Sequence, residues 1–302
     1  MSPSLSPGRA KAPNGRIAYV NGRYIPHARA SVHIEDRGYQ FADAVYEACE
    51  VRDGAIIDLT RHLDRLDRSL AALRISRPMS RPALVFIVRE VVRRNLVHDG
   101  SVYLQVGRGV ARRDHPFPSA PVAPSIVITA KHTDRATSER LASAGIGVIT
   151  LADNRWGRVD IKTVGLLANV LAKQAAREAG AREAWFVDAG GFVTEGGSSN
   201  AWIVTADGKL VTRPDSAAIL SGITRRGVFD VAKVAGLTVE LRPFTVAEAK
   251  AAREAFVTSA TSIVLPVVAI DGNPVGNGHP GSIALELRLR FHDVAEATLV
   301  VN

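Results

Sequence analysis

Apolar and polar positions along the chain follow two periods, and they divide it into short strands and longer helices. Residues 17–20 are apolar, Asn21-Gly22 interrupts them, and Tyr24-Ile25 returns, the pattern of a hairpin closed by a tight turn. Residues 45–51 and 55–59, separated by Asp53-Gly54, form a second such pair. The spacing then changes to three and four. Leu63, Leu66, Leu70 and Leu73 mark one buried helix face, and residues 81–95 predict a second helix with Leu84, Ile87, Val88 and Val91 inward. Residues 101–106 and 125–130 read as strands, so 16–130 is expected to be a small α+β domain.

Residues 131–139 are polar and aperiodic, which predicts an interdomain linker. Residues 140–302 form the expected second, larger domain. A strand at 145–151 precedes a helix at 164–179, with Leu167, Val170, Leu171 and Gln174 along one side and Gly180 ending it. Short strands are expected near 184–187, 192–194, 202–204 and 210–211, with Gly190-Gly191 and Asp207-Gly208 as turns. A helix over 224–235 stops at Gly236. Strands near Phe256 and over 264–270 precede a final helix from about Ser282.

Composition narrows the class. The chain has 302 residues, 46% hydrophobic and 23% charged, which fits a globular protein and not a disordered or fibrous one. One cysteine, Cys49, excludes an intramolecular disulfide. No apolar run approaches the roughly 18 residues of a membrane span. Residues 1–15 are Pro/Ser/Arg-rich with no apolar stretch, and so are expected as a disordered extension on a cytoplasmic protein, not a secretory signal. The net charge of +8 invites a nucleic-acid reading. Yet the basic residues are interleaved with acids, as over 61–68, and no aromatic-rich basic stripe appears. A solvated Arg-rich surface is the simpler reading, and an anionic substrate also profits from a positive field.

No phosphate-loop, dinucleotide or zinc-ligand spacing is present. Lysine is scarce, and Lys162 differs from the others. It lies in Val159-Asp160-Ile161-Lys162-Thr163-Val164, just ahead of an apolar helix. A partly desolvated amine there can serve as nucleophile and base, or merely snorkel. Three further segments bear on that choice. Thr194-Glu195-Gly196-Gly197-Ser198-Ser199-Asn200 places a carboxylate at a strand end. Leu220-Ser221-Gly222-Ile223-Thr224-Arg225 enters a helix, where free N–H groups and the helix dipole suit an anion. Val257-Thr258-Ser259-Ala260-Thr261-Ser262 is a second hydroxyl-rich loop. Singly, each is also what an ordinary turn or cap looks like. Together they supply an amine, a carboxylate and a phosphate cradle, the set that pyridoxal 5′-phosphate requires.

These segments resemble the fold-type-IV pyridoxal-phosphate enzymes, most of all the bacterial D-amino-acid aminotransferases. The similarity runs from about residue 20 to 270 and includes Glu35-Asp36-Arg37-Gly38-Tyr39-Gln40-Phe41, Val45-Tyr46-Glu47, His62-Leu63-Asp64-Arg65-Leu66, Asp160-Ile161-Lys162 and Gly222-Ile223-Thr224-Arg225. The resemblance implies a two-domain α+β and α/β fold, with a small N-terminal domain and a larger, mixed, β-barrel-like C-terminal domain. It implies that Lys162 carries the cofactor and Glu195 faces its pyridine nitrogen. Arg65, Ser199, Ile223, Thr224, Ser259 and Ala260 match cofactor contacts. Ala260 stands where some relatives have a hydroxyl, so only its N–H is available, with Thr261 one residue on. Tyr46, Arg113 and His115 match a substrate-carboxylate trap, and Arg113-x-His115 otherwise reads as a charged loop before a Pro-Phe-Pro anchor. The family's dimer interface runs along that loop, so the resemblance implies a homodimer with a trap shared between subunits. It implies amino acids and 2-oxo acids as small-molecule partners, and no metal, nucleic acid or membrane. Branched-chain L-amino-acid aminotransferase, aminodeoxychorismate lyase and (R)-amine transaminase remain alternatives within the fold, and a basic binding protein remains one outside it.

Overall fold

A computed structural model describes residues 15–300, so most of the expected N-terminal extension lies outside the described residues. The chain opens with β1 (Ile17–Val20) and β2 (Arg23–Pro26). Asn21 and Gly22 between them take φ of 45° and 93°, the left-handed pair that a two-residue hairpin turn demands. Next come α1 (Arg37–Phe41), β3 (Ala44–Arg52), β4 (Ala55–Ile57), α2 (Leu59–Ala72), α3 (Arg81–Arg94), β5 (Gly100–Gly107) and β6 (Ser125–His132). Leu63, Leu66 and Leu70 of α2 and Leu84, Val88 and Val91 of α3 are buried as their spacing predicts. They cover one face of the first sheet in a single hydrophobic core.

The second half contains α4 (Arg135–Ala144), β7 (Ile146–Ala152), α5 (Leu167–Glu178), β8 (Glu183–Val187), β9 (Val193–Gly196), β10 (Asn200–Val204), β11 (Leu210–Thr212) and α6 (Ile223–Val234). It continues through β12 (Val239–Leu241), α7 (Val246–Lys250), β13 (Glu254–Ser259), β14 (Ile263–Ile270), β15 (Asn273–Pro274), α8 (Ser282–Val294) and β16 (Ala297–Leu299). Seven strands make the first sheet, in the order β16-β4-β3-β5-β6-β1-β2. Nine make the second, in the order β12-β11-β10-β13-β14-β7-β8-β9, with β15 beside β14. Parallel pairs (β7–β8, β7–β14, β11–β12) mix with antiparallel ones.

Three sequence expectations need correction. Residues 131–139 are not a continuous linker: β6 runs through His132, and α4 begins at Arg135, capped by the Asp134 carboxylate. Only Ala142 of α4 is buried, which is why no apolar period marks it. The second half does not keep to its own sheet, because β16 crosses back to pair with β4. The helix expected from residue 164 begins at Leu167, and residues 162–164 instead lie against β3.

Alternation along β3 separates two environments. Val45, Glu47, Cys49 and Val51 point into the layer beneath the helices, while Tyr46 and Ala48 point the other way, into a cavity.

Candidate active site

A cavity of about 640 Å³ is lined by residues of both halves of the chain. Lys162 lies on its wall, held by its backbone. The Tyr46 N–H donates to the Lys162 carbonyl (3.0 Å), and the Lys162 N–H donates to Ser69 Oγ (3.3 Å). Its Nζ stands 4.2 Å from the centre of the Tyr46 ring. The amine is therefore half-buried beside an aromatic face on the cavity wall.

Glu195, in β9, is buried and fully engaged. Its Oε2 accepts from Asn200 Nδ2 (2.9 Å) and the Leu220 N–H (3.0 Å), and its Oε1 accepts from Arg155 Nη1. Burial pushes this carboxyl up to about 7, and Arg155, the Leu220 N–H and Lys162 oppose the rise without cancelling it. Arg155 is itself clamped by Asp153, with Nε to Oδ1 at 2.9 Å and Nη2 to Oδ2 at 2.7 Å.

Arg65 enters from α2. It grips Glu47 with two donors, Nε to Oε1 (2.8 Å) and Nη2 to Oε2 (2.7 Å), while Nη1 donates to the Ser221 carbonyl (3.1 Å). His62 Nδ1 meets the same carboxylate at 2.6 Å. Burial would raise the Glu47 carboxyl, but the charge and hydrogen bonds of Arg65, with those of His62, bring it down to about 2. Burial lowers His62 against the opposing pull of Glu47. The Ser221 contact fixes the Arg65 guanidinium beside the N-terminus of α6. There Gly222 is the N-cap and offers no side chain to the first turn. A Cβ on Gly222 would collide with the Asn200 side-chain oxygen, and Asn200 is held in place by its bonds to Glu195 and the Leu220 carbonyl, so glycine is favoured there. Ile223, Thr224, Ser259, Ala260 and Thr261 line the same end of the cavity. Ser259 Oγ accepts from the Ser262 N–H, leaving its proton free to donate.

The remaining predicted residues divide. Ser199 lines the cavity, but its hydroxyl donates to Glu183 (3.1 Å). Tyr46 and His115 line it as well. Arg113 does not: it is exposed and stacks over Phe41, 5.1 Å from the ring centre. The loop carrying both is anchored from below. Arg37 donates to the carbonyls of Asp114 (2.6 Å) and His115 (3.2 Å), and Arg108 lies 3.6 Å from the centre of the Phe117 ring. Asp43 bonds both arginines, Arg37 through Nε at 2.9 Å and Arg108 through Nε at 2.7 Å.

The donor set therefore fits a phosphorylated, ring-nitrogen cofactor. A cation and an uncapped helix N-terminus meet at one end, and an amine and a buried carboxylate line the same cavity. A model of the amino-transferase class IV family matches residues 44–270. The chain belongs to the class IV aminotransferase family. Its cofactor is pyridoxal 5′-phosphate. This aminotransferase is 38% identical to a D-alanine aminotransferase of Staphylococcus haemolyticus, covering 92% of this chain and 98% of that one. It is 40% identical to the D-alanine aminotransferase of Bacillus licheniformis, covering 87% and 91%. Among solved structures it is similar to the T.th. branched-chain amino acid aminotransferase bound to pyridoxamine 5′-phosphate, with TM-score 0.86, 27% identity and coverage of 95% and 99%.

Sequence reading missed Arg155, Asp153, the Glu47–His62 support of Arg65, and the Asp43 cluster. Glu47, His62 and Arg37 lay inside segments already noted for their resemblance. Asp153-x-Arg155 gave no signal, since a charged pair after a strand is usually solvated.

Proposed function

We propose that this aminotransferase moves amino groups between D-amino acids, D-alanine and D-glutamate among them, and 2-oxo acids. The observation that carries the reading is that Tyr46 of β3 and His115, on the loop bearing the Arg113-x-His115 pattern, share the cavity with Lys162. Identity points the same way, at 37–40% to D-alanine aminotransferases against 27% to the branched-chain enzyme. Bound pyridoxal phosphate supplies an electron sink that lowers the cost of removing the substrate Cα proton. Lys162 Nζ carries that proton. Glu195 holds a proton at the ring nitrogen. Arg65, the Ile223 and Thr224 N–H groups and Ser259 bind the phosphate. Tyr46, His115 and Arg113 hold the substrate carboxylate, so that only one enantiomer turns its Cα–H to Lys162.

The protein works as a cytoplasmic homodimer. Leu167 and Val170 of α5 are 72% and 59% exposed, an apolar face suited to a second copy, and the exposed Arg113 is free to complete the trap across the interface. No helix among the described residues is long and apolar enough to cross a membrane. The test is a half-reaction screen with paired enantiomers. D-alanine should react far faster than L-alanine. Arg113→Ala should slow D-alanine roughly 10- to 150-fold, the loss of one charge-assisted contact, and spare (R)-1-phenylethylamine, which has no carboxylate. Faster reaction with L-leucine than with any D-amino acid would assign the chain to the branched-chain group.

A further inference from the structure

The buried charges behind Glu195 form a chain with a direction. Asp153 holds two edges of the Arg155 guanidinium, and Thr194 Oγ donates to Asp153 Oδ2 at 2.8 Å. Arg155 Nη2 also reaches Thr194 Oγ (3.2 Å) and the Ala218 carbonyl (3.3 Å), and its Cζ lies 4.5 Å from the centre of the Phe186 ring. Each nitrogen of that fork has a fixed partner, and Nη1 is the one aimed at Glu195. Only 4% of the Arg155 side chain is exposed. A buried ion network of this kind is weak evidence for stability, because an apolar replacement often serves as well. It is better explained by what it does to its neighbour.

We propose that Arg155 is the positioning residue that keeps the Glu195 carboxylate ionised and oriented, with Asp153 setting how much of the arginine charge reaches it. The inference rests on the reading that the Glu195 carboxylate holds a proton on the cofactor's ring nitrogen. The groups facing Glu195 can be counted by element. Asn200 of β10 and the Leu220 N–H ahead of α6 contribute dipoles. Lys162 contributes a charge from the cavity wall, but it makes no hydrogen bond to Glu195 and is the smallest of the influences on it. Arg225 of α6 lies within electrostatic range and is paired to Asp215 at 2.7 Å. Arg155 is thus the cation in direct contact with Glu195. Its loss leaves a carboxylate that burial already favours in the neutral form, and a neutral carboxyl cannot hold a proton on the ring nitrogen.

The test uses holoenzyme reconstituted with pyridoxal phosphate labelled with nitrogen-15 in the ring, read by NMR across pH. In the native protein the ring nitrogen should give a pyridinium signal into mildly alkaline buffer. Arg155→Met should move the signal toward neutral pyridine and slow the D-alanine half-reaction roughly 10- to 100-fold, the scale of one charge-assisted hydrogen bond. Arg155→Lys should restore part of both. Asp153→Asn frees more of the arginine charge and should shift the titration the opposite way, with pyridinium persisting to higher pH. That variant keeps the test alive if Arg155→Met does not fold. Loose packing alone would not move the two signals in opposite directions. Glu195→Gln separates the two readings. If it abolishes the pyridinium signal while Arg155→Met leaves it unchanged, the Arg155 role is overturned. If Glu195→Gln leaves the signal intact, the Glu195 reading itself fails. A shift of Asp153→Asn in the same direction as Arg155→Met also overturns the proposal.

Discussion

Replacing Glu47 by glutamine should expose how the phosphate end of the site is balanced. Glu47 is fully buried and accepts two of the guanidinium bonds of Arg65 as well as the contact of the His62 ring. A glutamine keeps the shape, but it offers one acceptor where the native residue offers two, and it turns an NH2 toward another donor. Arg65 is then a buried cation without a counterion. Breaking a buried pair in this way costs about 3–5 kcal/mol. The entropy of unfolding for a chain of 302 residues is about 0.6 kcal/mol/K, so the apoprotein midpoint should fall by about 5–8 °C. With pyridoxal phosphate bound, the phosphate dianion supplies a countercharge, and the fall should be smaller by about half. Thermal unfolding of apo and holo forms reads this directly, with phosphate-free pyridoxal as the control that should give no such protection. The pH dependence has a definite sign. The Glu47 carboxyl is held at about 2 against its ordinary 4.5, so its contribution is present above 4.5 and disappears as pH falls toward 2. Glutamine has no such titration, and the gap between the two proteins should close over that window. Equal losses in apo and holo forms would refute the placement of the phosphate beside Arg65, and no loss at all would refute the burial argument.

Lys162→Ala should abolish amino transfer with little change in the unfolding midpoint, since its backbone bonds to Tyr46 and Ser69 do not need the side chain. Borohydride reduction and peptide mapping of the native holoenzyme should label Lys162, and label on another lysine would remove it from the mechanism. Asp43→Asn strips the shared counterion from Arg37 and Arg108, both almost completely buried. The loop over residues 110–118 should then become more susceptible to protease. KM for D-alanine should rise on the order of tenfold, with a smaller change in kcat. An unchanged KM would mean that the anchor does not govern the trap.

Much of the fold was legible because its signals are local. The β1–β2 turn is written in Asn21-Gly22, and α2 in leucines three and four apart. α4 was not legible, because a surface helix that buries little more than Ala142 has no apolar stripe to read. α5 carried a clear stripe, yet Leu167, Val170 and Leu171 face outward and the buried side is Ala172 and Ala176. Periodicity shows that a face is apolar, not what it packs against. The site behaves likewise. Lys162 and Glu195 stand in short motifs and could be picked out. Arg155 reaches Glu195 across 40 positions, and Arg108 reaches Asp43 across 65. Such pairs exist only once the chain has folded.

The return of β16 to the first sheet bears on the order in which the protein can assemble on the ribosome. β4 lies between β3 and β16, so its outer edge stays unpaired until residues 297–299 have emerged. For most of synthesis a nascent chain whose first sheet is otherwise formed presents Ala55, Ile56 and Ile57 at an open edge, the kind of edge that recruits other strands. The late strand closes it with help from nearby contacts, including the Asp58 N–H to the Glu296 carbonyl (2.8 Å) and Thr60 Oγ1 to Glu296 (2.8 Å). A fragment ending after α8 would contain every residue assigned to the cavity and still be prone to edge-to-edge association. C-terminal fusions and truncations should therefore be judged by yield of soluble protein before they are judged by turnover.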